Sequence, residues 1–328
     1  MRSSLPGSEK HSLNAASTPR VRAPPADQMV LRRARRRTAA RGSGDRGSVE
    51  DSSVQATGPL RGGRTMLTTR FVTGAPNWLD VGTSDLDGAT SFYGGLFGWR
   101  FRSAGPEAGG YGFFELDGRI VAGGMGTTEE QGPPSWTVYL QAPDARAAAQ
   151  ASGEAHGGVL VQPMDVMDQG TMAILADRAG LPFGIWQPGQ RAGLDVTGES
   201  GALCWVELHT ADIAAAAAYY RAVLGLETSG VSFPGGSYTC VNPAGEGEDA
   251  MFGGLVPLAE DPADTDADAG WLPYFAVDDA DTAVARTTEL GGTVRMPATD
   301  IEGVGRVARL ADPYGARFAV LRPAPRQG

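Results

Sequence analysis

Two long stretches of this sequence repeat each other without a gap. The stretch Trp78–Gly98 aligns with Trp205–Gly225 at a constant offset of 127 positions. Farther along the chain the matching positions lie 134 or 135 apart, as in Asp177 and Asp312. Because repeats of this length share one fold, the sequence predicts two similar domains over 71–188 and 202–323, with a Gly-rich linker over 189–201 between them.

Each domain is itself built from two similar halves. In the first half, the spacing of Phe92, Tyr93, Leu96 and Phe97 predicts an amphipathic helix. Asp85 and Gly98 stand where the N-cap and a left-handed C-terminal residue belong. Short glycine-broken strands follow this helix, and the second halves show the same order. The predicted fold is therefore α+β, with four βαβββ modules forming two domains.

The first 65 residues differ from the rest in composition. They hold 13 Lys+Arg and 5 Asp+Glu, a net +8, and no Phe, Trp or Tyr. An Arg-rich segment of this kind buries too little apolar surface to fold, so residues 1–65 are predicted to be a disordered basic tail. Three interpretations stay open: a tether to nucleic acid or membrane surfaces, a solvated tail without a role, or upstream sequence preceding a natural start at Met66.

Charge and composition narrow the function classes for the remaining residues. Residues 66–328 hold 15 basic and 33 acidic residues, a net −18, which would repel a phosphate backbone. No stretch is apolar for the length that a membrane span needs. Cys204 and Cys240 are too few for a disulfide framework. We therefore expect a cytoplasmic protein, a monomer or homodimer, whose folded part binds a small molecule and neither nucleic acid nor a membrane.

In its repeated segments the sequence resembles the vicinal oxygen chelate superfamily, which includes glyoxalase I, bleomycin-resistance proteins and extradiol dioxygenases. The resemblance rests on the repeated runs above and on two strand ends, Ala176–Gly184 and Ala311–Ala319. Within the superfamily, the chain is most similar to tandem actinobacterial proteins labelled hydroxylase or glyoxalase-like. The resemblance implies that two modules pair their curved sheets into a cup, one cup per domain, with a ligand or metal inside.

The metal ligands that the resemblance implies are not found here. The family places His or Gln on the first strand of a module and Glu on a last strand, where a metal can polarise a carbonyl or bind dioxygen. Gly184 and Ala319 occupy the last-strand positions, and tryptophans occupy the first-strand ones. Glu207 and His209 remain as weak metal candidates, because two residues apart on one strand share a face. The expectation is a protein without a metal cofactor.

The residues at the ligand positions suggest another use of the cups. Indole rings can stack on planar ligands, and a lone carboxylate can pair with a cation. We therefore expect the cups to be lined by four tryptophans and two carboxylates, unless the tryptophans belong to the core of each module: Trp78, Trp136, Trp205, Trp271, Asp80 and Glu207.

Two function classes follow from these observations. The first is a glyoxalase- or bleomycin-resistance-like protein that binds a small aromatic or cationic natural product without a metal. The second is an enzyme: either a metal-dependent lyase, isomerase, dioxygenase or hydroxylase using Glu207 and His209, or a metal-free catalyst with Asp80 or Glu207 as general base. No phosphate-binding loop, dinucleotide fingerprint or nucleophile elbow occurs in the sequence.

Overall fold

The computed structural model describes residues 67–233, 236–247, 250–258 and 269–325 of the chain. Side chains at positions 232, 233 and 236 are outside this description. The predicted basic tail, residues 1–65, lies outside the described residues. In the part of the chain that is described, no helix is long and apolar enough to cross a bilayer.

The first domain consists of two modules with the same order of elements. The first module contains β1 Pro76–Thr83, α1 Leu86–Phe97, β2 Arg100–Ser103, β3 Gly112–Leu116 and β4 Arg119–Gly126. The second contains β5 Ser135–Gln141, α2 Ala145–Glu154, β6 Gly158–Val166, β7 Gly170–Ala176 and β8 Pro182–Pro188. Two single-turn 3₁₀ helices, Pro106–Ala108 and Glu129–Gln131, lie in the loops of the first module.

The second domain repeats this order. Its first module contains β9 Leu203–Thr210, α3 Ile213–Leu224, β10 Glu227–Phe233, β11 Gly236–Asn242 and β12 Gly253–Pro257. Its second contains β13 Gly270–Ala276, α4 Ala280–Glu289, β14 Thr293–Ile301, β15 Gly305–Ala311 and β16 Arg317–Pro323. The predicted α+β fold with four βαβββ modules is confirmed.

Each domain forms one mixed sheet of eight strands. The strand order is β2-β3-β4-β1-β5-β8-β7-β6 in the first sheet and β10-β11-β12-β9-β13-β16-β15-β14 in the second. The two modules of a domain meet where the first strand of each pairs antiparallel with the other, β1 with β5 and β9 with β13. These central strands carry the residues that the sequence singles out.

The helix ends follow the capping signals in the sequence. Asp85 is the N-cap of α1 and its side chain accepts a hydrogen bond from the Gly88 N–H, while Asp212 does the same for the Ala215 N–H of α3. Gly98 and Gly225 end these helices with φ angles of 76° and 70°. Side chains with a Cβ are strained in this left-handed region, so glycine allows the chain to turn directly into the next strand.

The two faces of each sheet have different surroundings. On β5, Trp136 lies opposite Val81 of β1 and donates a hydrogen bond to Tyr93 of α1, so this face is covered by helices. Alternation along a strand then turns Trp78 and Asp80 to the other face. We call that second face the cup face of each domain.

Candidate functional site

The cup face of the first domain holds a chain of hydrogen bonds that ends on a carboxylate. Trp78 Nε1–H donates to the Tyr111 hydroxyl at 2.9 Å. Tyr111 and Tyr139 both donate to the same oxygen, Asp80 Oδ2, at 3.2 and 3.0 Å. No hydrogen bond from the described residues reaches Asp80 Oδ1. The two phenols thus share one carboxylate oxygen of Asp80.

Burial changes the acid–base properties of this carboxyl group. Asp80 is only 8% exposed, and this burial raises its pKa to about 6, although the hydrogen bonds from Tyr139 and Tyr111 act to lower it. Burial and the Asp80 charge raise the pKa values of Tyr111 and Tyr139 well above 10. The phenols therefore remain protonated donors at neutral pH, while Asp80 titrates near it.

A glycine on the neighbouring strand makes room for Tyr111. A Cβ at Gly123 of β4 would collide with the Tyr111 hydroxyl and lie 3.0 Å from the Asp80 Cβ. The same arrangement occurs in the second domain, where a Cβ at Gly254 would collide with the Tyr238 hydroxyl. These two positions need glycine because each tyrosine crosses its own sheet to reach the carboxylate.

The second domain builds the equivalent chain around a glutamate. Trp205 Nε1–H donates to the Tyr238 hydroxyl at 3.0 Å, and Tyr238 donates to Glu207 Oε1 at 2.7 Å. Tyr274 donates to the other oxygen, Oε2. Here each carboxylate oxygen has its own phenol.

Two further groups surround Glu207 that Asp80 lacks. Arg309 Nη2 donates to Glu207 Oε2 at 3.3 Å, and His209 Nε2 lies 3.3 Å from the same oxygen. Burial alone would raise the pKa of Glu207, but His209, Arg309 and Tyr274 together lower it to about 2. Glu207 is therefore a carboxylate at any physiological pH, with both oxygens engaged.

The two cup faces also differ in exposure. At four corresponding positions the first cup has half-buried side chains and the second has buried ones. The pairs are Phe113 and Cys240, Thr137 and Leu272, Met172 and Val307, and Ile174 and Arg309. The first cup is thus the more open at these four positions, whereas at the tryptophans the order is reversed, since Trp78 is buried and Trp205 half-buried.

The tryptophans at the starts of β5 and β13 are not on the cup faces. Trp136 donates to Tyr93 of α1 at 3.0 Å and Trp271 donates to Tyr220 of α3 at 2.9 Å. The expectation that all four tryptophans line the cups is therefore corrected for these two. Trp136 stands one position out of phase with Trp78 along the paired strands, and a shift of one residue reverses the face of a strand.

Trp78 and Trp205 share their strand faces with Asp80 and Glu207. Trp78 stacks against Trp186 of β8, with centroids 6.3 Å apart and planes 25° apart, and meets Phe113 edge-on. Trp205 is half-buried and packs with Tyr238, Val231 and Met251. Whether Trp78 and Trp205 contact a ligand stays a prediction.

Comparison with known proteins identifies the family. A glyoxalase-like domain model matches residues 205–321. The anthracycline biosynthesis protein DauV from Streptomyces sp. strain C5 is 38% identical over 268 residues, which cover 77% of this chain and 94% of that protein. DnrV from Streptomyces peucetius, also named an anthracycline biosynthesis protein, is 38% identical over 273 residues, with the same coverage. This chain belongs to the glyoxalase-like family of the vicinal oxygen chelate superfamily.

Solved structures share the fold of this glyoxalase-like protein at low sequence identity. The 2,3-dioxygenase LapB from Pseudomonas sp. KL28 superposes with a TM-score of 0.54 at 13% identity, covering 78% of this chain and 95% of that one. The Mn(II)-bound glyoxalase from Novosphingobium aromaticivorans gives a TM-score of 0.54 at 14% identity, covering 80% and 87%. At such identities the likeness concerns the fold alone.

The residues of this glyoxalase-like protein do not suit the family's metal centre. A Cβ at Gly184, the last-strand position in the first domain, would collide with the Tyr139 ring. In the second domain Ala319 provides no donor atom, and the Arg309 guanidinium already pairs with Glu207. Among the described residues, no group of three His, Cys, Asp or Glu side chains could hold an ion. Glu207 and His209 are brought together, but they face a cation instead of an open coordination position.

Several residues of both clusters were missed by sequence reasoning, and most left a signal. Tyr111 and Tyr238 are 127 positions apart, and Tyr139 and Tyr274 are 135 apart, so each pair follows the repeat offset of its own half. Comparing the two domains position by position would have found all four. Arg309 gave no such signal, because Ile174 stands at its counterpart.

Proposed function

We propose that this protein binds a small planar aromatic molecule in the cup of its first domain, without a bound metal. The observation that carries the proposal is a set of rings that pack on one another and reach Asp80 through the Tyr111 hydroxyl, with Trp78 and Trp186 buried behind Phe113 and Tyr111. Rings of this kind stack on planar ligands, and binding sites combine such apolar walls with few convergent polar groups. Half-buried Phe113 and Tyr111 present part of this surface to the cup.

The names of the relatives support the choice of ligand class. DauV and DnrV are named for anthracycline biosynthesis, and anthracyclines contain planar fused rings. We extend that class, an aromatic natural product of similar shape, to the ligand of this chain. The second cup is the weaker candidate because its carboxylate is fully engaged and four side chains on its face, half-buried in the first cup, are buried.

Tryptophan fluorescence tests the proposal directly. Planar aromatic compounds, anthracyclines among them, are titrated into the purified protein, and we expect saturable quenching with dissociation constants in roughly the micromolar range. Trp78→Phe should weaken binding about tenfold or more, whereas Trp205→Phe, the matched change in the second cup, should leave affinity within about twofold. Absence of saturable quenching across the panel, or equal effects of the two substitutions, would refute the proposal.

Metal content is tested separately. Elemental analysis of the purified protein should find far less than one transition metal per chain, and a chelator should leave ligand affinity unchanged. Near-stoichiometric metal that disappears in Glu207→Ala or His209→Ala would instead support the metal-dependent alternative.

A second candidate function rests on the titration of Asp80. A carboxyl group with a pKa of about 6 and one unbonded oxygen has the properties of a general base or acid near neutral pH. A metal-free proton transfer on the bound aromatic compound is therefore the enzymatic alternative. Glu207 suits that role poorly, because its pKa of about 2 makes it a weak base. Turnover of a bound compound by the wild type, lost in Asp80→Asn with binding retained, would favour the enzyme.

A further inference from the structure

The two carboxylates differ in two neighbours, because Ile174 and Gly82 stand at the positions equivalent to Arg309 and His209. The always-charged one of the two is Arg309. Arg309 of β15 lies opposite Ala319 of β16, and Ile174 of β7 lies opposite Gly184 of β8. Ala319 and Gly184 in turn pair with Tyr274 and Tyr139, the phenols that bind the two carboxylates. Ile174 therefore occupies in the first cup the place from which Arg309 reaches its carboxylate in the second.

The charge of Glu207 is balanced by Arg309, whereas the described residues provide no cation beside Asp80. Arg309 donates to Glu207 Oε2 at 3.3 Å, and both groups are buried. In the described part of the chain, no Arg, Lys or His side chain lies within ion-pairing distance of Asp80. A buried carboxylate without a cation is costly, so any cation that enters the first cup gains a partner that is already in place.

We propose that the ligand of the first cup carries a cationic nitrogen, and that this group binds Asp80 Oδ1 in the role that the Arg309 guanidinium has at Glu207. The proposal rests on the ligand site proposed above and adds the chemical class: an aromatic ring that carries an aliphatic amine or a guanidine, protonated at neutral pH. The aromatic rings hold the planar part, and Asp80 selects the charge.

The opening of the cup and the charge of the chain agree with this class. Ile174, Met172 and Thr137 are half-buried, so the side from which Arg309 approaches in the second cup is partly open in the first. The net charge of −18 over residues 66–328 attracts cations over distances of about a Debye length. Both features favour an ammonium group over a neutral or anionic one.

None of the groups that surround Asp80 titrates in the same pH range as Asp80. Tyr111, which precedes β3, and Tyr139 from β5 donate to it, and their pKa values lie well above 10. β4 contributes Gly123 at this position, while β7 and β8 contribute Ile174 and Gly184, none of which titrates. A change in affinity near the pKa of Asp80, about 6, therefore reports on Asp80 itself.

A matched pair of probes tests the inference. 1-Naphthylmethylamine and 1-naphthylmethanol share ring and length, and only the amine is charged at neutral pH. We expect the amine to bind at least about tenfold more tightly at pH 8, where Asp80 is ionised. The preference should fall as the pH is lowered through about 6, because protonation of Asp80 removes the partner of the ammonium group.

Substitutions at Asp80 and Ile174 test whether the preference for the amine comes from Asp80. Asp80→Asn keeps the shape and an acceptor for the tyrosines, so it should bind both probes equally. Ile174→Arg supplies the cation internally and should abolish the amine preference, while Ile174→Met, a matched uncharged change, should keep it. If Ile174→Arg does not fold, the pH profile and Asp80→Asn still decide.

The outcomes separate the two proposals. Equal binding of amine and alcohol by the wild type overturns the cationic ligand and leaves the aromatic site standing. A preference that persists in Asp80→Asn also overturns it, because the selection then lies elsewhere. Failure of both probes to bind counts against the aromatic site itself, and the inference falls with it.

Discussion

Helix α1 of the first domain and helix α3 of the second make equivalent contacts with the opposite domain, and the two contacts contain the same hydrogen bonds. Tyr93 of α1 donates to Asp312 Oδ2 at 3.0 Å, and Tyr220 of α3 donates to Asp177 Oδ2 at 3.5 Å. Each tyrosine also accepts from a tryptophan of its own domain, Trp136 or Trp271. The repeat has thus preserved the hydrogen bonds on both sides.

The apolar side chains around these hydrogen bonds differ between the two contacts. On the α1 side, the rings of Phe97, Trp99 and Phe275 lie 5.0–5.3 Å from one another. At the corresponding positions on the α3 side stand leucines: Leu224, Leu226 and Leu140. A void of about 10 Å³ lies beside Tyr220 and Trp271 there. We conclude that the α1 contact is the tighter of the two.

A tyrosine side chain fills the space at the N-terminus of α1, and the equivalent space at α3 has no tyrosine. Tyr314 donates to the N-cap carboxylate Asp85 at 3.0 Å, and Gly88 makes room for its hydroxyl. Its counterpart in the first domain is Ala179, which lines a cleft of about 280 Å³ with Asp212 and Ala215. The two contacts have equivalent backbone arrangements, but the side chain at this one position decides whether the space beside the N-cap aspartate is filled.

The largest difference between the contacts should appear on removing their tryptophans. Trp136→Ala should lower the free energy of unfolding by about 3–5 kcal/mol, because it deletes a buried indole that touches Tyr93, Trp99 and Phe275. Trp271→Ala should cost less, since its packing already includes a void. Urea unfolding of both variants measures this, and equal costs would remove the asymmetry that we infer from the packing.

The hydroxyls of Tyr93 and Tyr220 should show a smaller difference. Tyr93→Phe leaves the buried Asp312 carboxylate and the Trp136 N–H without this partner, at a cost of about 1–3 kcal/mol. Tyr220→Phe likewise leaves the Trp271 N–H without this partner, but it should cost less, about 1 kcal/mol, because the bond to Asp177 that it removes is long at 3.5 Å. Thermal unfolding of the pair sharpens the comparison, and a larger effect at Tyr220 would reverse it.

The smallest effect should come from placing at position 179 a tyrosine equivalent to Tyr314. Ala179→Tyr alone should be neutral or destabilising, because the Ala215 methyl occupies the place that the Tyr314 hydroxyl takes beside Gly88. Combined with Ala215→Gly, the new tyrosine can reach Asp212, and a double-mutant cycle should give a favourable coupling of about 0.5–1 kcal/mol. Additive effects of the two changes would show that the contacts are not interchangeable.

Much of the fold was predictable because local signals and the repeat agree. Asp85 and Gly98 fix the ends of α1, and the same pair recurs at Asp212 and Gly225. The face of Trp136 was not predictable from its likeness to Trp78, because a strand reverses its faces with a shift of one residue. Only the pairing of Val81 with Trp136 decides the matter.

The candidate site was predictable in part for a different reason. Asp80 and Glu207 follow from alternation along their strands, but the charge state of each depends on residues far away in sequence. Arg309 lies 102 positions from Glu207, and nothing local to either residue indicates that they meet. The raised pKa of Asp80 likewise follows from burial, which is a property of the assembled sheet.

The position of Tyr139 beside Gly184 bears on how the cup could have changed its chemistry during evolution. A Cβ at position 184 would collide with the Tyr139 ring where it now stands, so a glutamate there would require this ring to move. Ala319 lies beside Tyr274 at the equivalent position of the second domain, so the sheet can accommodate a Cβ once the tyrosine is shifted. A shift of Tyr139 would alter its hydrogen bond to Asp80. A metal centre in this cup would therefore need changes at several positions, the first-strand tryptophans among them, and related sequences with a glutamate at position 184 should also differ at or around position 139.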